Sequence, residues 1–297
     1  MLIESWVLWT LLAATMQAIR TAGQKNLTGE MSALSATLVR YLFGLPFALL
    51  WLGFVSRQQD FSLPGLNTVF ILSGFAAGIL QITATFLLIR LFTLRNFAVG
   101  STYVKSEILL TAVIGYFFFT ETVTLVGWLA IIVCVIGLVT ISVSKTGGIK
   151  SLWNQSAGYG LSSGLCFALT SLYLRQASLS LGTDDSMLAA GMTLAYMVSL
   201  QTVTMLAWVR IQQPGQISVI LRNWRPSLFV GITSVVGSVG WFTAMTLELA
   251  SYVKTLGQLE FIFTVLIAVF YFKEKPTRLE VAGMLLIVSG GVALLLN

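Results

Sequence analysis

The chain has 297 residues, of which 57% are hydrophobic and 9% charged, and its formal net charge is +6. An ordinary soluble domain carries about 25% charged residues. With a mean hydropathy of +0.89, the chain reads as an integral membrane protein, which excludes a soluble enzyme, a disordered segment and a secreted disulfide scaffold. The absence of histidine removes His-based triads, general bases and metal sites. The basic residues stand singly near span ends, not in a run or one face, which excludes nucleic-acid binding.

A span needs about 20 mostly apolar residues, and ten such segments can be drawn. The first, 3–22, lacks the basic leader of a cleaved signal and reads as a retained helix. It carries Gln17 and, near its end, Arg20 as an interfacial residue. The second, 32–55, holds Arg40 and Tyr41; the third, 67–89, holds Gln81 and the small-xxx-small pair Gly74/Gly78, which favours close helix packing. The fourth, 97–119, contains Tyr103, Lys105, Glu107, Thr111 and Gly115 and runs into Phe119-Thr120-Glu121; the fifth is 124–144. A polar, glycine-bearing stretch, Lys145–Ala157, then divides the chain into halves 1–150 and 151–297. The second half follows with 157–177 (Gly160/Gly164), 187–209 (Tyr196, Gln201), 227–247 (Trp241), 250–272 (Tyr252, Lys254, Gln258, Glu260) and 277–296. Cys134 and Cys166 lie isolated in apolar surroundings, without metal or redox spacing.

The halves repeat each other. Lys105-Ser106-Glu107 with Thr111, Gly115 and Phe119-Thr120-Glu121 returns 153 residues later as Gln258-Leu259-Glu260 with Thr264, Ala268 and Phe272-Lys273-Glu274, and Thr93-Leu94 returns as Thr246-Leu247. Gln24-Lys25-Asn26 matches Leu174-Arg175-Gln176, and the words Tyr103-Val104-Lys105 and Tyr252-Val253-Lys254 also recur. Five spans is an odd number, so the second half enters the membrane from the opposite face. The predicted fold is all-α, with ten transmembrane helices as two inverted five-helix repeats. About 10 residues into a helix at ~1.5 Å each places Glu107 and Glu260 about 15 Å deep, at the middle of a ~30 Å hydrocarbon core. Inverted-repeat transporters bind substrate and coupling ions at that depth. Connections after odd-numbered spans hold eleven Lys and Arg against two, Arg57 and Arg175, on the other side. That bias predicts that both termini face outward.

A carboxylate inside a span is costly and usually functional. Glu107 and Glu260 read either as protonatable coupling groups or as members of buried ion pairs. Lys105 cannot face Glu107 at i,i+2, so its partner lies elsewhere, or it anchors a substrate carboxylate. Lys254, near the start of its span, either snorkels to the interface or joins the site. Arg40 has the forked geometry of a carboxylate or phosphate ligand, or it is a permanent partner of Glu107 or Glu260. Gln81 and Gln258 line a cavity or bridge helices, Trp241 stacks on a substrate or simply packs, and Tyr103 and Tyr252 are candidate gates or hydroxyl donors. Glu121 and Glu274 read as cap and turn residues.

Ten spans in two halves, each with a fourth helix ending in Phe-Phe-Thr-Glu or Tyr-Phe-Lys-Glu, resemble the EamA-type branch of the drug/metabolite transporter superfamily. Each ending is followed by a glycine-bearing fifth helix, from Gly127-Trp128-Leu129-Ala130 to Gly137 and from Val281-Ala282-Gly283-Met284 to Gly290-Gly291. The resemblance covers about 3–296. It implies a helical fold around a central cavity, often with export of amino acids or amines, and termini in the cytoplasm, against the charge count. The expectation is a secondary active exporter of a small polar metabolite in the inner membrane, working by alternating access and coupled to protons or another ion, as monomer or homodimer. Rivals are a lipid or lipid-linked-sugar flippase and a non-transport scaffold or sensor. No enzyme activity and no cofactor are expected; Thr21-Ala22-Gly23-Gln24-Lys25 lacks the glycine spacing of a nucleotide loop.

Overall fold

A computed structural model describes residues 4–58, 63–92, 103–146, 155–260 and 277–296. Its regular elements are helices: α1 (Ser5–Leu27), α2 (Ala33–Leu42), α3 (Leu45–Arg57), α4 (Thr68–Phe92), α5 (Glu107–Phe118), α6 (Leu125–Thr146), α7 (Gln155–Ser180), α8 (Ser186–Gln212), α9 (Gln216–Arg222), α10 (Trp224–Leu247), α11 (Ala250–Leu256) and α12 (Arg278–Leu295). Among these residues five helical stretches are long and apolar enough to span a bilayer, and α5 and α6 add shorter apolar segments. The protein is a multi-pass membrane protein. Its outer surface is apolar, with Leu72, Phe117, Phe118, Val203, Ile211 and Leu285 all exposed, as lipid requires and water does not.

Local chemistry sets the helix ends. Ser32 and Asp185 cap α2 and α8 with their side chains, and Thr277 and Glu280 form a reciprocal capping box on α12. The tightest pairings are α4 with α7, α6 with α12 and α1 with α10. Glycine permits this closeness. A Cβ on Gly240 would lie 2.6 Å from the Trp9 carbonyl oxygen; one on Gly137 would lie 2.7 Å from the Gly283 carbonyl oxygen. Gly137→Val is therefore expected to push α6 and α12 apart and cost about 1–3 kcal/mol. Melting in detergent tests this against Gly53→Val, which meets nothing within 4 Å and should melt like wild type.

Three predicted spans are interrupted, which the hydropathy pattern did not show. The second breaks at Phe43–Gly44, between α2 and α3, where Pro46 starts the new helix. The fourth does not carry Glu107 mid-helix: Lys105 and Ser106 form a turn and Glu107 is the first residue of α5. In the ninth, α11 passes at Leu256 into a 3-10 turn, Gly257–Leu259, just before Glu260. The predicted residues Thr93, Leu94, Thr264, Ala268, Phe272, Lys273 and Glu274 lie outside the described residues.

Candidate functional site

The carboxylates sit at helix discontinuities, and each pairs with a lysine of the other repeat. Glu107 begins α5, where the helix dipole favours negative charge, and Lys254 occupies the last turn of α11, where it favours positive charge. Lys254 Nζ donates to Glu107 Oε2 at 3.2 Å. In the reciprocal pair, Lys105 Nζ lies 3.4 Å from Glu260 Oε2. Both bridges join the first half of the chain to the second. Lys254 does not snorkel: it is buried, 5.1 Å from the centre of the Trp241 ring and 5.7 Å from that of Phe167. Two aromatic faces and one carboxylate replace the water a buried ammonium would lose.

The two pairs are joined through side chains. Gln17 on α1 donates to Glu260 Oε2 at 2.8 Å and accepts from Trp241 Nε1 at 3.0 Å. Trp241 then faces Lys254, so Glu107, Lys254, Trp241, Gln17, Glu260 and Lys105 form a chain of contacts between α5, α10, α1 and the α11 break. Thr111, one turn on from Glu107, is spent on the Glu107 carbonyl at 2.6 Å; Thr111 and Gly115 are buried with it. The two repeat registers are also reconciled. Glu107 follows Lys105 by two residues and Glu260 follows Lys254 by six. The extra four residues form about one turn, accommodated at Gly257–Leu259.

The other predicted site residues divide. Gln258 is buried; its Nε2 donates to the Lys254 carbonyl at 3.1 Å, while among the described residues its Oε1 has no partner. Arg40 is buried on α2, but its Nη1 donates to Thr85 Oγ1 at 3.1 Å, and no bond joins it to Glu107 or Glu260. Tyr41 also meets Thr85, and Gln81 accepts from Gln201 Nε2 at 2.8 Å, so neutral polar groups of α2, α4 and α8 gather beside Arg40. Tyr252 packs instead against the start of α6, its hydroxyl 3.1 Å from both the amide and the hydroxyl of Thr124. Tyr103 is half-buried in the segment before α5. Sequence reasoning missed Phe167, for which nothing in the pattern was a signal. It also gave no sign that Arg20, expected near the interface, is buried among the helices. The spacing Gln17-Arg20-Gln24 on one α1 face was the available clue.

A second cross-repeat cluster lies at the end of α5. Thr120 takes φ +56°, unusual for a β-branched residue, and the turn places Glu121 against Gly115. As expected Glu121 is a capping residue, but it caps the other repeat. It accepts from the amides of Ala250 at 2.9 Å and Ser251 at 3.5 Å, at the start of α11, and from the Ser251 hydroxyl at 3.2 Å. Arg175 Nε lies 3.5 Å from Glu121 Oε1, and Arg175 also donates to the carbonyls of Met245 and Glu248 at the end of α10. Burial pushes the Glu121 carboxyl above its ordinary range, against the pull of the Ala250 amide and Arg175. Beside this clamp is a cavity of 350 Å³ bordered by Val69, Phe119, Leu172 and Gln176.

This is a membrane-embedded, helix-broken charge centre shared by two repeats. The EamA-like transporter family model matches the chain twice, over residues 4–143 and 156–296. The chain belongs to that family, whose members are membrane transporters of the drug/metabolite transporter type. No curated protein matches the chain. Solved structures do, and one crystal structure, of a protein given no more specific name, aligns with a TM-score of 0.70 at 14% identity, covering 98% of this chain and 96% of that one. At that identity the likeness speaks for the fold alone.

Proposed function

We propose that the protein is a secondary active exporter of a small polar metabolite, with ten membrane helices in two inverted five-helix repeats, 1–150 and 151–297, working by alternating access in the inner membrane. The observation that carries this reading is the reciprocal pairing of Lys254 with Glu107 and Lys105 with Glu260 across the seam. The helix pairing supports it too: exchanging the halves maps α1–α10 onto α7–α4 and α6–α12 onto itself, as a two-fold between repeats demands. The eleven-to-two distribution of Lys and Arg supports termini on the outer face.

In this mechanism the ion pairs are the coupling device. Protonating Glu107 or Glu260 releases a lysine of the opposite half, weakens the seam and allows it to open. Ionisation restores the pair and closes it. A differential affinity of the two states for a proton then biases access to the substrate site. The test is metabolite profiling of the medium from cells expressing wild type or Glu260→Gln at matched levels. Export predicts a metabolite enriched by wild type and not by the variant. Equal enrichment removes Glu260 from the coupling step, and no enrichment by either protein overturns export.

A further inference from the structure

We propose that Arg20 and Arg40 form the binding site for an oxyanion, a carboxylate or phosphate group, and that the transported molecule therefore carries net negative charge. This deepens the proposed transport function and rests on it. Arg20 is 6% and Arg40 5% exposed. Among the described residues neither has a salt bridge; Arg20 Nε is buried with no hydrogen-bond partner, and the bond from Arg40 goes to the neutral Thr85 hydroxyl. A guanidinium has five N–H donors and no acceptor. It is costly to bury without an anion, and its fork matches a carboxylate or phosphate in two parallel bonds.

The two arginines flank a contact between α1 and α2. Gln24 on α1 donates to the Ala36 carbonyl on α2 at 3.3 Å. Arg20 lies one turn before Gln24 and Arg40 one turn after Ala36, on the helix faces that carry this bond. Arg20 lies within electrostatic reach of both Arg40 and Glu260, and Gln17, on the same α1 face, touches Glu260. The pair thus adjoins the charge centre. Among the described residues that region holds four buried or half-buried cations, Arg20, Arg40, Lys105 and Lys254, against two carboxylates, Glu107 and Glu260. Both carboxylates are engaged by the lysines, so the arginines supply a surplus of two positive charges.

Symmetry separates this pair from the seam. Glu107 and Glu260 recur in both halves, as do Lys105 and Lys254. Where Gln24-Lys25-Asn26 aligns with Leu174-Arg175-Gln176, Arg20 matches Thr170, and where Tyr41 aligns with Tyr196, Arg40 matches Ala195. The duplicated pairs serve the rocking of the halves, and the unduplicated arginines serve an asymmetric cargo. A simple amine would add to the surplus, whereas an anion neutralises it.

The experiment measures melting of the purified full-length chain in lipid-free detergent at constant ionic strength, with succinate, inorganic phosphate, glycine or putrescine as probe. Saturable stabilisation by succinate or phosphate is expected, with tenfold or greater loss of apparent affinity in Arg20→Gln and Arg40→Gln and none in Arg210→Gln. Arg20→Lys keeps the charge without the fork, so it should fold even where Arg20→Gln does not, and bind more weakly than wild type. Stabilisation by putrescine alone, or equal anion binding by wild type and both arginine variants, overturns the proposal. Stabilisation by phosphatidylglycerol that Arg20→Gln abolishes supports the site and assigns it a lipid headgroup. Proteoliposome exchange separates the two readings. Anion binding without exchange leaves the site standing and removes transport. A neutral or cationic substrate exchanged equally by wild type and both variants keeps transport and removes the anion site.

Discussion

Glu107→Gln is expected to abolish transport and to lower the unfolding free energy by about 3–5 kcal/mol, the cost of leaving a buried charge without its partner. The stranded group is Lys254, 8% exposed and held between Trp241 and Phe167. The aromatic faces lessen its penalty, but only Glu107 neutralises it. Glu107→Gln/Lys254→Met removes both charges and is expected to recover most of the lost stability, because apolar replacement of a whole buried pair is often neutral. It should still not transport, since nothing remains to release the seam. Melting in detergent and proteoliposome flux read the two effects separately. If Glu107→Gln melted like wild type, the pair would not be a buried, mutually dependent one; if the double variant transported, the pair would have no part in the mechanism.

Arg175→Met is expected to cost a similar amount, about 3–5 kcal/mol, for a different reason. It leaves the Glu121 carboxylate, 4% exposed, without its cation, and leaves the Met245 and Glu248 carbonyls without their donor. Because Glu121 still caps α11, the expected phenotype is a loosened end of the seam: faster substrate leak from loaded proteoliposomes together with a lower melting point. Arg175→Met/Glu121→Gln should lose less than the two single effects added together, with a coupling of about 0.5–3 kcal/mol. Strict additivity would show that the two side chains act independently and that the clamp is not a unit.

The sequence made the carboxylates legible and hid their partners. Glu107 and Glu260 stood out because a charged residue in an apolar run is costly and two at one repeat offset are unexpected. The lysines were visible too, and the i,i+2 spacing correctly separated Lys105 from Glu107. Their true pairing crosses the repeats and depends on tertiary contact. The helix breaks were hard to read because Lys105-Ser106-Glu107 and Gly257-Gln258 are short polar interruptions in otherwise apolar segments, and the mean hydropathy of a whole span averages over them. The burial of Arg20 was not legible because distance from a helix end says nothing of what packs around the side chain. Glu121 was read correctly as a cap, but no local pattern could say that the helix it caps begins 129 residues later.

Reciprocal bridging across the seam also dictates how the protein is made. While the first half is being inserted, the ion-pair partners of Lys105 and Glu107, Glu260 and Lys254, lie in a segment not yet synthesised. Until translation reaches Lys254 and Glu260, the new chain holds an ammonium and a carboxylate that must be shielded by the insertion machinery or by water. The second half of the chain therefore does more than extend the protein: its arrival supplies the partners of the earlier charges. A first half truncated before residue 151 should be a substrate for membrane quality control, and supplying the second half as a separate chain should rescue it.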